Sequence, residues 1–285
     1  MRSIALICLL FASFSPALAA DKKAEDIVTQ HLDSIGTAEA RVALKSLGVQ
    51  GTLRFKIIVG GAGETTGNWQ HFSEQRKSNF AMKFGGSDWW GERFVFDGDK
   101  TYFAAATSSH QRSAFGEFVR THDFIIKDGL LGGELSTNWA LQGLALQGPD
   151  GNRIKLDYLG VKKIDGRDVQ AIEYLSKSNG EMTVTLYFDP ETYHHVMTIF
   201  SVMRGAIRAH HTDTASAHEQ EVHYTIEERF SNFQTDNGIT LPRHYDLQFN
   251  QQPPSGKTSV YDWDMTADKI FANPKIAPAN FQEKQ

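Results

Sequence analysis

The sequence predicts a mainly β protein with helices (α+β), built as one antiparallel meander of about ten or eleven strands. From Val49 onward, apolar and polar residues alternate with the two-residue period of half-buried strands. Turn sequences such as Asp97-Gly98 and Asp165-Gly166 separate the alternating runs and are typical of hairpins. One long segment, residues 112–139, breaks the alternation with helical spacing. The tail, residues 266–281, is predicted as helix or coil.

Residues 1–19 predict a secretory signal peptide. Arg2 supplies a short positive region, the run from Ile4 to Phe14 is apolar, and Ala17-Leu18-Ala19 has the small-x-small pattern of a cleavage site. The apolar run is shorter than the ~20 residues that a membrane-spanning helix needs, and no later run approaches that length. We therefore expect cleavage near Ala19, a mature chain without a transmembrane segment, and a periplasmic location.

The composition argues against a nucleic-acid partner and against disulfide bonds. Removal of the signal peptide takes away Arg2 and changes the formal net charge from −5 to −6. The charges are well mixed, without the basic stripe that nucleic-acid binding needs, so we expect no nucleic-acid partner. The only cysteine, Cys8, lies inside the signal peptide, so no disulfide can stabilise the mature chain. We predict that residues 20–285 form a single domain with one large core.

Two helices are predicted before the first strand. Between Ala24 and Ile35, apolar residues recur at spacings of three and four, as on one face of a helix. Thr37 is suited to cap a second, short helix whose apolar face extends to Leu47. His31 falls on the apolar stripe of the first helix, where we interpret it as a packed core histidine rather than a ligand.

The central insertion, residues 112–139, is predicted to cover one face of the sheet. Its apolar side chains offer more apolar surface than a connection in water tolerates. They are Phe115, Phe118, Val119, Phe124, Ile125, Leu130 and Leu131, followed by Trp139. Gly129 and the pair Gly132-Gly133 give the backbone freedom on either side of the two leucines. The insertion is therefore either a moving lid or a fixed plug, and the sequence leaves both open.

Four phrases of the sequence, spread over most of residues 21–285, carry a resemblance to a known family. They are AEDIVTQHLDSIGTAEARVALKSLGVQGTL, DGRDVQAIEYLSKSNGEMTVTLYFDPETYHHVM, NFQTDNGITLPRHYDLQFN and NPKIAPANF. They resemble the uncharacterised exported branch of the LolA/LolB-like superfamily of periplasmic outer-membrane lipoprotein-sorting proteins. The resemblance implies a curved, incompletely closed antiparallel half-barrel, covered by the N-terminal helix and the insertion. It also implies a lipid or a lipidated protein as partner, together with other envelope transport components.

The resemblance implies a ligand site in the hollow of the half-barrel, where lipid acyl chains are held. The expected ligand-binding residues are Phe55, Ile57, Phe80, Trp89, Trp90, Phe94, Phe96, Tyr102, Phe115, Phe118, Phe124, Leu130, Leu131 and Trp139. Ordinary core packing is the simpler interpretation of the aromatic cluster that begins at Trp89, and both interpretations stay open. A buried sixteen-carbon chain could contribute at most roughly 13 kcal/mol, before the costs of association and ordering.

The stretch HEQEVH, from His218 to His223, differs by one residue from the zinc-protease signature H-E-x-x-H. In that signature the histidines are four residues apart, so both lie on one helix face and reach one zinc ion. Here they are five apart, which separates them by roughly 140° on a helix and places them on opposite faces of a strand. We therefore predict no metal site, with His210, His211 and His218 in a solvated loop and His223 on the polar face of a strand.

No catalytic grouping stands out in the sequence. The mature chain has no cysteine, and the G-x-S-x-G motif of serine hydrolases is absent. The acidic pairs Glu227-Glu228 and Asp262/Asp264 lie in alternating strands, and we interpret them as solvated. We expect no catalytic residues, no cofactor and no enzymatic activity. The alternatives are an envelope scaffold that docks a partner protein and a metal-dependent or hydrolytic enzyme.

Overall fold

The computed structural model of the chain describes residues 16–86, 91–104, 111–136, 154–204, 222–253 and 256–283. The α-helices within these residues are α1 (Pro16–Ile35), α2 (Ala38–Ala43), α3 (Ala114–Thr121) and α4 (Phe124–Lys127). The strands are β1 (Ser46–Val59), β2 (Glu64–Glu74), β3 (Lys77–Phe84), β4 (Gly91–Phe96), β5 (Thr101–Phe103), β6 (Lys155–Ile164), β7 (Arg167–Leu175), β8 (Thr183–Phe188), β9 (His195–Arg204), β10 (Val222–Asp236), β11 (Ile239–Gln252) and β12 (Ser259–Ala272). Short 3-10 helices lie at Gly133–Leu135, Lys177–Asn179 and Pro278–Phe281.

All twelve strands form one antiparallel sheet in the order β5-β4-β3-β2-β1-β12-β11-β10-β9-β8-β7-β6. Each half of the chain is a meander of neighbouring hairpins, and β1 pairs with β12 where the two halves meet. In the described residues β5 and β6 stand at the two edges, so the sheet is not closed into a barrel. The predicted fold class, an incompletely closed half-barrel with helices, is confirmed. The described part of the chain forms twelve strands rather than ten or eleven.

One face of the sheet carries the core. In β8, the buried residues Val184, Leu186 and Phe188 alternate with more exposed neighbours, as the strand period requires. In β10, Ile226 and Phe230 lie on the buried face in the same way. These rows of side chains merge into one continuous core, which α1 and the insertion cover.

The N-terminal helices agree with the sequence except at two boundaries, since α1 begins at Pro16 rather than near Ala24 and α2 ends before Leu47. The Thr37 side chain accepts a hydrogen bond from the backbone N–H of Ala40 at 3.2 Å, so the predicted N-cap is confirmed. Leu47 does not extend the face of α2, because α2 ends at Ala43 and β1 already begins at Ser46. Pairing with both β2 and β12 holds this segment extended. No helix of the described residues is long and apolar enough to cross a membrane.

The C-terminal strand is longer than the sequence predicts. Thr266 to Ala272, predicted as helix or coil, continues β12 and pairs with β1 from Thr52 back to Leu47. Hydrogen bonding to a neighbouring strand therefore overrides the weak local preference of this segment. Only residues beyond Ala272 form coil and the short 3-10 helix at Pro278–Phe281.

The connections at the two ends of the sheet differ in length. At one end the turns are short: residues 75–76, 97–100, 165–166, 189–194 and 237–238. At the other end the strands are separated by residues 60–63, 85–90, 104–154, 176–182, 205–221 and 253–258, most of which are longer stretches of chain. The insertion belongs to this second end. Binding residues in proteins concentrate on connections that a rigid scaffold positions, so this is the end at which to look for a site.

The seam between β1 and β12 contains a glycine that the packing requires. The register of this pair shifts between Gln50 and Thr52, which leaves Gly51 at an irregularity. A Cβ at Gly51 would lie 1.7 Å from the carbonyl oxygen of Thr266 and 2.8 Å from Trp69 Nε1. Any side chain at this position would therefore force the two halves of the sheet apart.

We predict that Gly51→Ala lowers the free energy of unfolding by about 2 kcal/mol or more, because the new methyl group overlaps backbone atoms of β12. Urea denaturation followed by tryptophan fluorescence measures the change. Gly85→Ala is the matched control, since a Cβ there meets nothing within 4 Å. The control should stay within about 0.5 kcal/mol of the parent. Equal stabilities for the two variants would show that the seam tolerates a side chain.

Candidate functional site

The insertion packs into the concave side of the half-barrel. α3 begins after Ser113, whose hydroxyl accepts a hydrogen bond from the Gly116 N–H at 2.8 Å. From α3, the Phe115 ring centroid lies 5.5 Å from that of Phe94 on β4 and 4.9 Å from that of Trp263 on β12. The buried apolar side chains of the insertion include Phe115, Phe118, Val119, Phe124, Ile125, Leu130 and Leu131. The insertion is thus part of the core in this structure.

Most of the predicted ligand-binding residues lie in this core. The buried ones are Phe55, Phe80, Phe94, Phe96, Phe115, Phe118, Phe124, Leu130 and Leu131. Ile57 is half-buried near the end of β1. Tyr102 lies on the opposite face of β5 from Phe103, which packs on Phe94, and its hydroxyl donates to Asp97 at 2.9 Å. Trp89, Trp90 and Trp139 lie outside the described residues. The structure therefore brings the buried residues and Ile57 together and separates Tyr102 from them.

An apolar cavity of about 310 Å³ remains beside the insertion. It is lined by Phe55, Ile57, Ser113, Ala114, Phe115, Tyr261 and Trp263. It lies between the start of α3, the end of β1 and the start of β12, at the end of the sheet that carries the long connections. Its volume falls at the small end of the range of ligand pockets. Three predicted residues line it, together with Tyr261 and Trp263, which the sequence did not single out.

A buried polar cluster anchors the far end of the insertion. Glu134 is 4% exposed and lies between two histidines. Its Oε1 is 3.0 Å from Nε2 of His31 on α1 and 3.1 Å from Nδ1 of His195 on β9. His31 Nδ1 donates to the carbonyl oxygen of Tyr193 at 2.9 Å, and the Thr198 hydroxyl is 2.9 Å from His195 Nε2. One carboxylate thereby ties the insertion to α1 and to β9.

Glu228 forms the second part of this cluster. It is fully buried on β10, and it accepts hydrogen bonds from the Tyr245 hydroxyl on β11 and from the Gly132 N–H at 2.9 Å. The buried ring of His71 lies against Gly132, where a Cβ would come within 3.1 Å of Nδ1. Gly132 and Gly133 both have positive φ, 78° and 51°. Glycine is therefore needed here for the turn and for close approach, which lets the backbone N–H reach the carboxyl group.

The charges of the cluster are coupled. Burial opposes ionisation of Glu134, but the neighbouring His195 and then His31 lower its pKa well below the usual range. Burial opposes the charge of His195 as well, yet the Glu134 carboxylate raises the pKa of His195 above its ordinary value. Burial without a charged partner lowers the pKa of His71 to about 4. The Glu134 carboxyl group is therefore ionised at pH 7, while His71 is neutral.

Two further carboxyl groups in contact with the insertion titrate near neutral pH. Burial raises the pKa of Glu228 to about 7, although the hydrogen bond from Tyr245 acts in the opposite direction. Burial raises the pKa of Glu92 on β4 to about 8, against a smaller opposing effect of the hydrogen bond from Ser113. Glu92 Oε1 has no hydrogen-bond partner in the part of the chain that the structure describes. Its Oε2 lies against Gly116, where a Cβ would come within 2.7 Å.

The predicted absence of a metal site is tested only in part. His210, His211 and His218 lie outside the described residues. His223 lies on β10, as predicted, with Nε2 2.8 Å from the Ser201 hydroxyl oxygen on β9. Among residues 16–86, 91–104, 111–136, 154–204, 222–253 and 256–283, no group of three or more His, Cys, Asp or Glu is arranged to hold a metal ion.

The interpretation of Glu228 as solvated is wrong. β10 alternates regularly, so Glu228 shares the buried face with Phe230, and this period was the signal that could have placed it in the core. Glu134 and His195 carry no such signal, because only the approach of α1 and β9 in the folded chain brings them together. The interpretation of His31 as a packed core histidine is confirmed, since its side chain is 2% exposed.

These features define the class of protein as an open antiparallel half-barrel filled by helices. No protein-family model matches the chain, and no curated protein matches it. Among solved structures, it is similar to a DUF1329 family protein from Desulfovibrio piger, with a TM-score of 0.47 and 12% identity over 92% of this chain and 97% of that one.

Two further solved structures are named for the superfamily that the sequence phrases resemble. A LolA superfamily protein from Nitrosomonas europaea matches with a TM-score of 0.43 and 13% identity, over 91% of this chain and 97% of that chain. A domain from Vibrio parahaemolyticus, named for outer membrane lipoprotein sorting, matches with a TM-score of 0.44 and 10% identity, over 92% and 97%. At these scores and identities the likeness identifies neither a family nor an activity.

We predict that the free energy of unfolding falls as the pH rises from 6.5 to 8, and that Glu92→Gln removes part of this fall. The folded-state pKa of Glu92, about 8, lies above its ordinary value of 4.5. The folded state therefore binds more protons in this interval, and stability is lost as the pH rises through the folded pKa. The contribution is on the order of 2 kcal/mol. Urea denaturation at each pH measures the slope.

Glu117→Gln is the control for this experiment. Glu117 lies on the exposed side of α3, and the hydrogen bond from Arg120 lowers its pKa, so it is ionised in both states above pH 6.5. Its removal should leave the slope unchanged. Identical slopes for the parent and Glu92→Gln would contradict the assignment of the fall to Glu92.

Proposed function

We propose that this protein is an exported, soluble carrier or binding protein of the cell envelope. Its ligand would be a lipid, a lipoprotein acyl chain or another apolar molecule, held in the half-barrel. The observation that carries the proposal is the apolar cavity beside the insertion, among the long connections of the sheet. The N-terminal sequence supports export to the periplasm, because residues 1–19 have the three regions of a signal peptide.

The rim of the cavity supports an apolar ligand. Ile57 lines the cavity, and the next two residues of β1, Ile58 and Val59, are 47% and 44% exposed. Contiguous apolar side chains in water are unfavourable and commonly mark a place where a ligand, a partner or a membrane makes contact. Exposed apolar side chains thus follow directly after the residue of β1 that lines the cavity.

The insertion supports exchange between a filled and an open hollow. A long acyl chain would reach deeper into the half-barrel only where the insertion withdraws, because the insertion fills the hollow next to the cavity. The apolar side chains of the insertion would then be replaced by the apolar ligand. The buried apolar area is then similar whether the insertion or the ligand fills the hollow. The hydrophobic free energies of these two states therefore differ by much less than the free energy of filling the hollow by either one.

Native extraction tests the proposal directly. We expect protein purified from envelopes without detergent washing to carry a substoichiometric or stoichiometric apolar molecule that organic extraction and mass spectrometry identify. The same protein refolded from denaturant serves as the empty reference. Consistently empty protein, together with failure to bind any added lipid after refolding, would count decisively against a carrier.

Amide hydrogen exchange tests whether the insertion moves. We expect residues 112–136 to exchange faster than the central strands β1 and β12 in the empty protein, and to change their exchange rate when lipid is added. The reason is that opening the insertion exposes its short helices, whereas the strands keep both neighbours. Protection equal to that of β1 and β12, unchanged by lipid, would identify a fixed plug.

A substitution at the cavity tests its part in binding. Ala114 is exposed at the start of α3 and lines the cavity, so Ala114→Trp should place an indole in the space of the ligand. We expect affinity for an apolar probe to fall by about tenfold or more. Arg120→Trp, at an exposed position of the same helix, is the matched control and should bind like the parent. Equal loss in both variants would place binding elsewhere.

A further inference from the structure

The insertion places both apolar side chains and polar groups in the hollow, a combination that an amphiphilic ligand also has. Its apolar side chains next to the polar cluster are Leu130, Leu131 and Leu135, each at most 4% exposed. Between them stand the N–H of Gly132 and the carboxylate of Glu134. Apolar groups, one donor and one anion are therefore held together within six consecutive residues.

Three partners of these polar groups lie outside the insertion. The carboxylate of Glu134 is held by His31 from α1 and His195 from β9, and the N–H of Gly132 is held by Glu228 from β10. They stay in the wall of the hollow when the insertion leaves. The wall thus contains a preformed site for an anion, beside an acceptor for one N–H or O–H group.

Removal of the anion leaves the imidazoles unsatisfied. The two ring nitrogens of His31 lie 2.9 Å from the carbonyl oxygen of Tyr193 and 3.0 Å from the carboxylate oxygen of Glu134. A neutral chain that displaced the insertion would leave Nε2 of His31 and Nδ1 of His195 without their hydrogen-bond partner in an apolar environment, which is unfavourable.

We infer that the hollow binds an anionic amphiphile, whose acid group takes the place of the Glu134 carboxylate between His31 and His195. The chain of this ligand takes the place of the buried leucines of the insertion. The insertion is then a built-in competitor that fills the site until such a ligand arrives. This inference rests on the proposed function and narrows its ligand class from any apolar molecule to one with an acid group.

The test compares two ligands that differ only in the head group. Palmitate and 1-hexadecanol are titrated against the purified full chain by displacement of an environment-sensitive apolar dye, with both ligands below their aggregation limits. We expect palmitate to bind about tenfold more tightly than hexadecanol, since a charge-assisted pair forms only with the acid. Vesicles of phosphatidylglycerol and of phosphatidylcholine distinguish a phospholipid source from a free acid. Extraction of phosphatidylglycerol alone, or preference for palmitate alone, supports the inference and names the source.

Two variants assign the preference to the cluster. His195→Gln removes the imidazole and should bring the palmitate-to-hexadecanol ratio to about one, while hexadecanol still binds. Glu134→Gln weakens the competing insertion but leaves both histidines, so palmitate should bind more tightly to it than to the parent protein. Glu117→Gln, an equivalent change at an exposed position of the insertion, should alter neither value. Circular dichroism confirms that each variant is folded.

The outcomes separate the inference from the proposed function. Equal binding of palmitate and hexadecanol to the parent overturns the anionic class and leaves an apolar carrier intact. Binding of neither ligand overturns the carrier and this inference together. A preference for palmitate that persists unchanged in folded His195→Gln, or palmitate affinity in Glu134→Gln no higher than in the parent, shows that the acid group does not occupy the place of Glu134.

Discussion

The apolar concave face of an open twelve-stranded sheet is the constraint on which the rest of this structure depends. A closed barrel could bury such a face against itself, but β5 and β6 stand at separate edges here. The face must therefore be covered by other parts of the chain, because its exposure would leave a large apolar area in water. α1 supplies part of the cover and the insertion supplies the remainder. The two helical regions that interrupt the β pattern are both explained by this need.

The polar cluster fixes where the cover lies. Apolar contacts are non-directional and would tolerate several positions of the insertion, whereas hydrogen bonds to buried partners require one. Glu134 meets His31 and His195, and Gly132 meets Glu228, so the insertion is held to α1, β9 and β10 at the same time. A buried ion pair adds little net stability against a well-packed apolar alternative, but breaking it by removing one partner is costly. The cluster therefore determines the position of the insertion more than it adds to the stability of the fold.

The division of the molecule into two ends relates this cover to binding. Short turns close one end, and the long connections lie at the other, with the apolar cavity among them. α3 begins at that cavity, and the insertion continues from there to the polar cluster. In the function proposed above, a single segment thus links the entry of an apolar chain with the place of its acid group. Displacement of the insertion would expose the cavity and the polar cluster at the same time. A binding site that the protein's own chain fills in the absence of ligand requires this behaviour.

Features that depend on neighbours in the chain were determined by the sequence alone. The strand period, the hairpin turn at Asp97-Gly98 and the N-cap at Thr37 all arise from local backbone preferences, and the structure has each of them. The helical insertion was equally visible, because its apolar residues lie at helical spacing. The alternation in β10 also predicts which face of the strand is buried, although Glu228 was interpreted as solvated.

Only the tertiary structure decided the features that join distant parts of the chain. The pairing of β1 with β12 extends the last strand to Ala272, against a local pattern that favours helix or coil. Glu134 and His195 are 61 positions apart, and nothing in either neighbourhood indicates that the other will approach. The cost of burying their charges is acceptable only when they are paired, and pairing exists only once α1, β9 and the insertion have packed together. A sequence pattern records which face a residue takes on its own element, but the partner of a buried charge is chosen by the fold.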